Sequence, residues 1–144
     1  MNLKEEYCRL SFELQRIYEK YASSLGFSIH TLVVIRTIVE NNNCTQTKIY
    51  ESNILSKQTV NSIIKELVAK KFIVLEVSIE DKRKKIVTLT REGINKLIPI
   101  IEKLKKSEDV AFNLISKDNQ KIIVDNYRLF NKNLEKELLE GENG

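Results

Sequence analysis

The chain has no tryptophan, one proline, four glycines, one histidine and two cysteines in 144 residues. So few breakers over that length exclude a turn-rich all-β fold and point to long helices. Cys8 and Cys44, with His30 as the one imidazole, give neither a disulfide framework nor metal-ligand spacing. Both are read as reduced thiols, and no metal or other cofactor is expected. A single histidine, no Gly-rich phosphate loop and no serine or cysteine motif beside a base leave no nucleophile or proton shuttle to nominate. No enzymatic activity is expected, and His30, near the start of a predicted helix, is assigned a structural or surface role. No apolar run approaches the roughly 20 residues needed to cross a bilayer, and charge begins at Lys4. The reading is therefore of a cytoplasmic protein with neither a membrane span nor a signal peptide. The length suits one domain with a genuine core, with disorder expected only over the final residues, EGENG.

What the chain does have is an uneven distribution of charge. Lysine and arginine against aspartate and glutamate number five and five in residues 1–44, ten and five in 45–91, and nine and ten in 92–144. The net charge of +4 thus comes from the middle third. Basicity that served solubility alone would have no reason to gather there, whereas a phosphate-binding surface needs such a focus. The competing reading is a solvated lysine-rich loop of no special function.

The residues beneath that charge favour the first reading. From Ser56 to Thr90 the sequence runs SKQTVNSIIKELVAKKFIVLEVSIEDKRKKIVTLT. Val60, Ile63, Ile64 and Leu67 recur at helical spacing and must face a core, which leaves Gln58, Asn61, Ser62 and Lys65 on the opposite face. Amides and hydroxyls there can read donor and acceptor patterns in a major groove, which charge alone cannot do. Ser56 is placed to cap this reading helix, taken as residues 56–71, with Lys57 adding charge at its start and Thr59 in its first turn. FIVLEV and KIVTLT are β-branched and roughly alternating, so they pair as antiparallel strands around the cationic loop SIEDKRKK. A helix-turn-helix followed by a wing at 78–86 is the architecture these features predict.

Helices are predicted on both sides of this module. Residues 3 to about 24 carry Leu3, Tyr7, Leu10, Leu14, Ile17 and Tyr21 at steps of four and three, a heptad seam. A second helix runs from Ser28, its cap, to Glu40 and ends at the Asn41–Asn43 run. Cys44 and Thr45 form a very short strand, and Thr45 caps the first helix of the helix-turn-helix, Gln46–Ser52. Asn53–Leu55 make the turn. Thr90 caps the helix after the wing, where Gly93 in the first turn leaves room for another backbone and Pro99 is expected to bend the axis. The last helix, from Lys117 to about Leu139, repeats the seam with Ile123, Tyr127, Phe130, Leu134 and Leu138. A monomer could fold both stripes onto its own body. The wing module has its own core, however, so the terminal helices are expected to zip two subunits together. The predicted layout is a mainly α chain: residues 1–30 and 108–144 form a helical dimerisation region, and 31–107 form the winged helix-turn-helix, within one intertwined domain.

This order of elements resembles the MarR family of bacterial transcription regulators over nearly the full length. The likeness rests on LSKQTVNSIIKELVAKKFI for the recognition helix, EDKRKKIVTLT for the wing with its Asp-x-Arg core, and LTREG opening the next helix. Lys71 stands where the family usually has a helix-closing glycine, Ile54 where its turn often has glycine, and Tyr50 where a small alanine is usual. The resemblance implies a homodimer on a pseudo-palindromic double-stranded operator, with one reading helix in each of two successive major grooves. Ser56, Lys57, Gln58, Thr59, Asn61, Ser62 and Lys65 would contact DNA from the helix, and Lys82, Arg83, Lys84 and Lys85 from the wing. Asp81 would brace the wing by pairing with a neighbouring basic group, while Arg83 enters the minor groove. The resemblance also implies a small-molecule effector, aromatic or lipophilic, in a cleft between the dimer helices and the wing module. Some relatives sense oxidants through a cysteine in the first helix, which makes Cys8, flanked by Tyr7 and Arg9, the redox candidate. The residues themselves favour packed thiols at both cysteines. The alternative from another class is a winged-helix module that binds a protein partner and no DNA.

Overall fold

A computed structural model describes residues 2–140. The chain is mainly helical with one small sheet, the winged-helix architecture expected. Its elements run α1 (Leu3–Ser24), α2 (Ile29–Glu40), β1 (Cys44–Thr45), α3 (Gln46–Asn53), α4 (Lys57–Ala69), β2 (Ile73–Val77), β3 (Lys85–Leu89), α5 (Arg91–Asn113) and α6 (Lys117–Glu135), with a π-helical turn at Lys136–Glu140. Of the five residues EGENG for which disorder is expected, Glu140 closes the π-helical turn instead, and positions 141–144 lie outside the described residues. Among the described residues no single helix is long and apolar enough to cross a membrane.

Short polar side chains set the helix starts. Ser28, Thr45, Ser56 and Ser116 each accept a hydrogen bond from the amide three residues on, at 3.1, 3.1, 3.1 and 3.3 Å. Thr90 does the same for Gly93 at 3.0 Å, and Asn2 forms a full capping box with Glu5. Helix ends are less regular. Gly26 closes α1 in the left-handed region, with Phe27 N–H donating to the Ala22 carbonyl at 2.9 Å and Gly26 N–H to that of Ser23 at 3.0 Å. At the end of α4 the same double bond recurs, Phe72 to Leu67 at 3.0 Å and Lys71 to Val68 at 2.9 Å, with Lys71 at φ 63° in the glycine position. The reading helix therefore stops at Ala69 and not at Lys71. No glycine marks the end, yet the chain reverses there so that Phe72 and Ile73 can enter the sheet.

The chain divides into two compact units, one through Ile101 and one from Glu102 onward. In the first unit, α4 buries Val60, Ile63, Ile64 and Leu67, the four positions read from spacing. They join a core that includes Ile35, Ile38, Ile49, Ile73, Val87 and Leu97. The antiparallel sheet has the order β1-β3-β2, with Cys44 opposite Val87, and Ile73 opposite Leu89 through Val77 opposite Lys85. Helix α1 touches this core through Ala22, and Tyr21 donates its hydroxyl to the Ile100 carbonyl at 3.0 Å. Its Leu10, Leu14 and Ile17 remain about half exposed.

The junction between β3 and α5 is tight. Thr90 donates its hydroxyl to the Lys71 carbonyl at 2.6 Å and its amide to the Phe72 carbonyl at 3.0 Å, while accepting from Gly93. A Cβ on Gly93 would collide with the Phe72 carbonyl oxygen, which is the close backbone approach its position predicts. The helix continues through Pro99 to Asn113. In the second unit, α6 has no fully buried residue, and its Ile123 and Leu134, with Leu138 of the π-helical turn, are exposed.

Candidate nucleic-acid interface

Helix α4 presents the polar face that its apolar spacing requires. Lys57, Gln58, Asn61, Ser62 and Lys65 are exposed, and Thr59 is half buried. Ser56 is exposed as the cap, its hydroxyl bonded both to the Thr59 amide and to Thr59 Oγ1 at 2.9 Å. The helix is oriented from beneath by its four buried residues and from its N-terminal side by α3. Tyr50, on α3, lies with its ring centroid 5.3 Å from the Lys57 Nζ, within cation–π range, and its hydroxyl donates to Thr47 Oγ1 at 3.3 Å. The bulkier residue at position 50 thus holds the first cation of the reader in place.

The wing is shorter than the sequence suggests. Strand β2 ends at Val77 and β3 begins at Lys85, so Lys85 and Ile86 belong to the ladder and the loop comprises residues 78–84. Inside it, Ser78 is buried, donates its amide to the Lys84 carbonyl at 2.9 Å and accepts the Asp81 amide on its hydroxyl at 3.3 Å. The Lys84 amide returns to the Asp81 carbonyl at 2.9 Å. Asp81 Oδ1 accepts from the Arg83 amide at 3.1 Å and from Arg83 Nε at 3.2 Å, with Nη2 to Oδ2 at 3.5 Å. The basic group that Asp81 engages is therefore Arg83 itself. The guanidinium hydrogen bond, then that of the Arg83 amide, holds the Asp81 carboxyl below the usual carboxylate range, with a smaller contribution from Lys84. Arg83 remains 91% exposed despite the contact. Lys82 and Lys84 are exposed beside it.

Two features beside α4 escaped sequence reading. Gln46, in the first turn of α3, donates from Nε2 to Asn61 Oδ1 at 3.4 Å, so it orients one of the reader's amides. The start of α2 also lies along the reader: Ser28, His30 and Thr31 border an open cleft of about 370 Å³ with Gln58, Thr59 and Ser62. No local pattern links residues so far apart in the chain, since the three-dimensional packing of α2 on α4 creates the adjacency. The cysteines divide: Cys44 is buried in β1 and burial pushes its thiol pKa up, whereas Cys8 is half buried on α1. The basic neighbour of Cys8, Arg9, is engaged by Glu13 at 3.0 Å.

Residues 25–84, from the end of α1 into the wing, match the sequence model of the MarR family. Over those residues the chain is similar to the MarR family. The fold extends the likeness beyond the matched segment. A MarR family regulator from Neisseria meningitidis is 21% identical, with 98% of this chain and 99% of that one covered at a TM-score of 0.79. MepR of S. aureus in its complex with DNA is 17% identical, covering 93% of this chain and 99% of its own at 0.74. The transcriptional regulator SlyA is 21% identical over 95% and 96% at 0.71. No curated protein matches the sequence. At these identities the structures share a MarR fold with this chain, from α1 through α6.

Proposed function

We propose that the chain is a transcription regulator that binds double-stranded DNA as a homodimer. The observation that carries this reading is the exposed amide and hydroxyl face of α4, joined through a short sheet to a loop whose arginine is already held by Asp81. Gln58, Asn61, Ser62 and Lys65 suit base edges in the major groove, and Ser56, Lys57 and Thr59 suit the phosphates at the helix start. Arg83 suits a narrow minor groove, because its planar guanidinium is weakly hydrated and the negative potential there is enhanced. Lys82, Lys84 and Lys85 supply phosphate contacts. The related fold of MepR in complex with DNA supports the assignment. In the dimer, two α4 helices would enter major grooves about 34 Å apart on a pseudo-palindromic site. The half-exposed Leu10, Leu14 and Ile17 of α1 support such pairing, as does the apolar stripe of α6. A small-molecule effector would act by binding one spacing of the two readers better than the other.

The test is duplex binding against salt. The unaltered protein should bind duplex DNA with an affinity that falls steeply as salt rises, and Arg83→Ala should weaken it by about tenfold and flatten the slope by about one unit. Equal affinity of Arg83→Ala would remove the wing from the interface. No duplex binding at low salt would favour a winged-helix module that docks a protein partner.

A further inference from the structure

The turn between α3 and α4 carries an unusual residue. Ile54 sits at φ 54°, ψ 37°, in the left-handed region, and its side chain is 96% exposed. A β-branched residue is among the least suited to that region, because its crowded Cβ approaches the following carbonyl oxygen. The turn itself asks only for the backbone: the amides of Ile54 and Leu55 both donate to the Tyr50 carbonyl, bonds that a glycine would make with less strain. Leu55, the next residue, is the one that turns partly inward. The fold therefore gains no packing from the Ile54 side chain and carries a conformational cost because of it. A strained backbone position with an apolar side chain in water points to a role outside the subunit.

Its surroundings indicate which. Ile54 precedes Ser56, Lys57 and Gln58, all exposed, at the N-terminal end of the reading helix. The Lys57 ammonium, held against the Tyr50 ring, makes that end cationic. An apolar group on the border of a polar, cationic surface suits the apolar parts of DNA, the thymine 5-methyl group in the major groove or the C–H edge of a deoxyribose beside the first phosphates. We infer that Ile54 makes an apolar contact with the duplex at the entry of the reading helix and so contributes to affinity at the expense of stability. This rests on the DNA-binding reading above.

The experiment uses the full chain and a duplex selected from random-sequence DNA by the unaltered protein. Ile54→Gly and Ile54→Asn, two residues that tolerate the left-handed region, should each bind that duplex about three- to tenfold more weakly, the loss expected for one or two apolar carbon groups returned to water. Both variants should unfold at the same temperature as the unaltered chain or a few degrees higher. Replacing thymines one at a time by deoxyuridine separates the two sources. If one replacement weakens the unaltered protein but not Ile54→Gly, the contact is to a methyl group; if none does and Ile54→Gly still binds weakly, it is to the sugar. Unchanged affinity in both variants overturns the inference, as does a lowered unfolding temperature in both, since the side chain would then serve the fold. Failure of the unaltered protein to bind any duplex at low salt would instead overturn the DNA-binding reading itself, which this design registers separately.

Discussion

Gly93 shows how much a single missing carbon can decide. Any side chain there would press on the Phe72 carbonyl, a backbone atom already held by the Thr90 amide and unable to step aside cheaply. Gly93→Ala is expected to destabilise the first unit by about 1–3 kcal/mol, the range for overpacking a close contact, measured by urea unfolding. A change within 0.5 kcal/mol would mean that the junction relaxes freely. The need for glycine was legible, because a helix-weakening residue one turn after a threonine cap calls for a steric reason. The placement of Gln46 and of the α2 start beside α4 was not. Gln46 reaches Asn61 across 15 positions, and Ser28 and His30 share a cleft with Gln58 from about 30 positions away. Such adjacencies belong to the packing of helices, and no local spacing encodes them.

At the level of the element, periodicity and capping chemistry served well and closure did not. The buried face of α4 and the threonine and serine caps follow from residue type alone. The end of α4 does not, because Lys71 adopts a conformation that lysine rarely takes and for which only a glycine would have been the signal. The wing is where element and site meet. Its loop is folded around a carboxylate, so its order should depend on acid. The folded Asp81 carboxyl titrates below its unfolded value, so its stabilising contact is intact above the ordinary carboxylate pKa of about 3.9 and is lost as pH falls through the lower folded value. Following the Arg83 amide resonance with pH should give a midpoint below that of a free aspartate. Asp81→Asn should abolish the acid transition and weaken duplex binding at neutral pH. An Arg83 amide that titrates at the free aspartate value would show that the pair does not form in solution.

For the molecule as a whole, the exposed stripes are the decisive feature. Leu14 and Ile17 on α1 are 52% and 57% exposed, Leu134 on α6 is 43% exposed, and Leu138 in the π-helical turn that follows it is 62% exposed. Apolar residues at heptad steps lose most when left in water, and a second copy supplies the same stripe by symmetry. In sedimentation equilibrium the chain is expected at twice its 16.8 kDa mass, and the paired substitution Leu14→Glu with Ile17→Glu should shift it toward the single-chain mass. A single-chain mass for the unaltered protein at tens of micromolar would refute the dimer.

The contacts that Lys57 makes with an aromatic ring and Arg83 with a carboxylate have a kinetic meaning. Long cationic side chains ordinarily surrender about 0.5–1.5 kcal/mol of rotamer freedom each when a partner immobilises them. Here that freedom is already curtailed while the protein is alone, so an encounter with a polyanion would resemble a key meeting a cut lock more than a glove closing on a hand. Discrimination between sites would then reside in how long the complex lasts, with arrival governed by charge and diffusion.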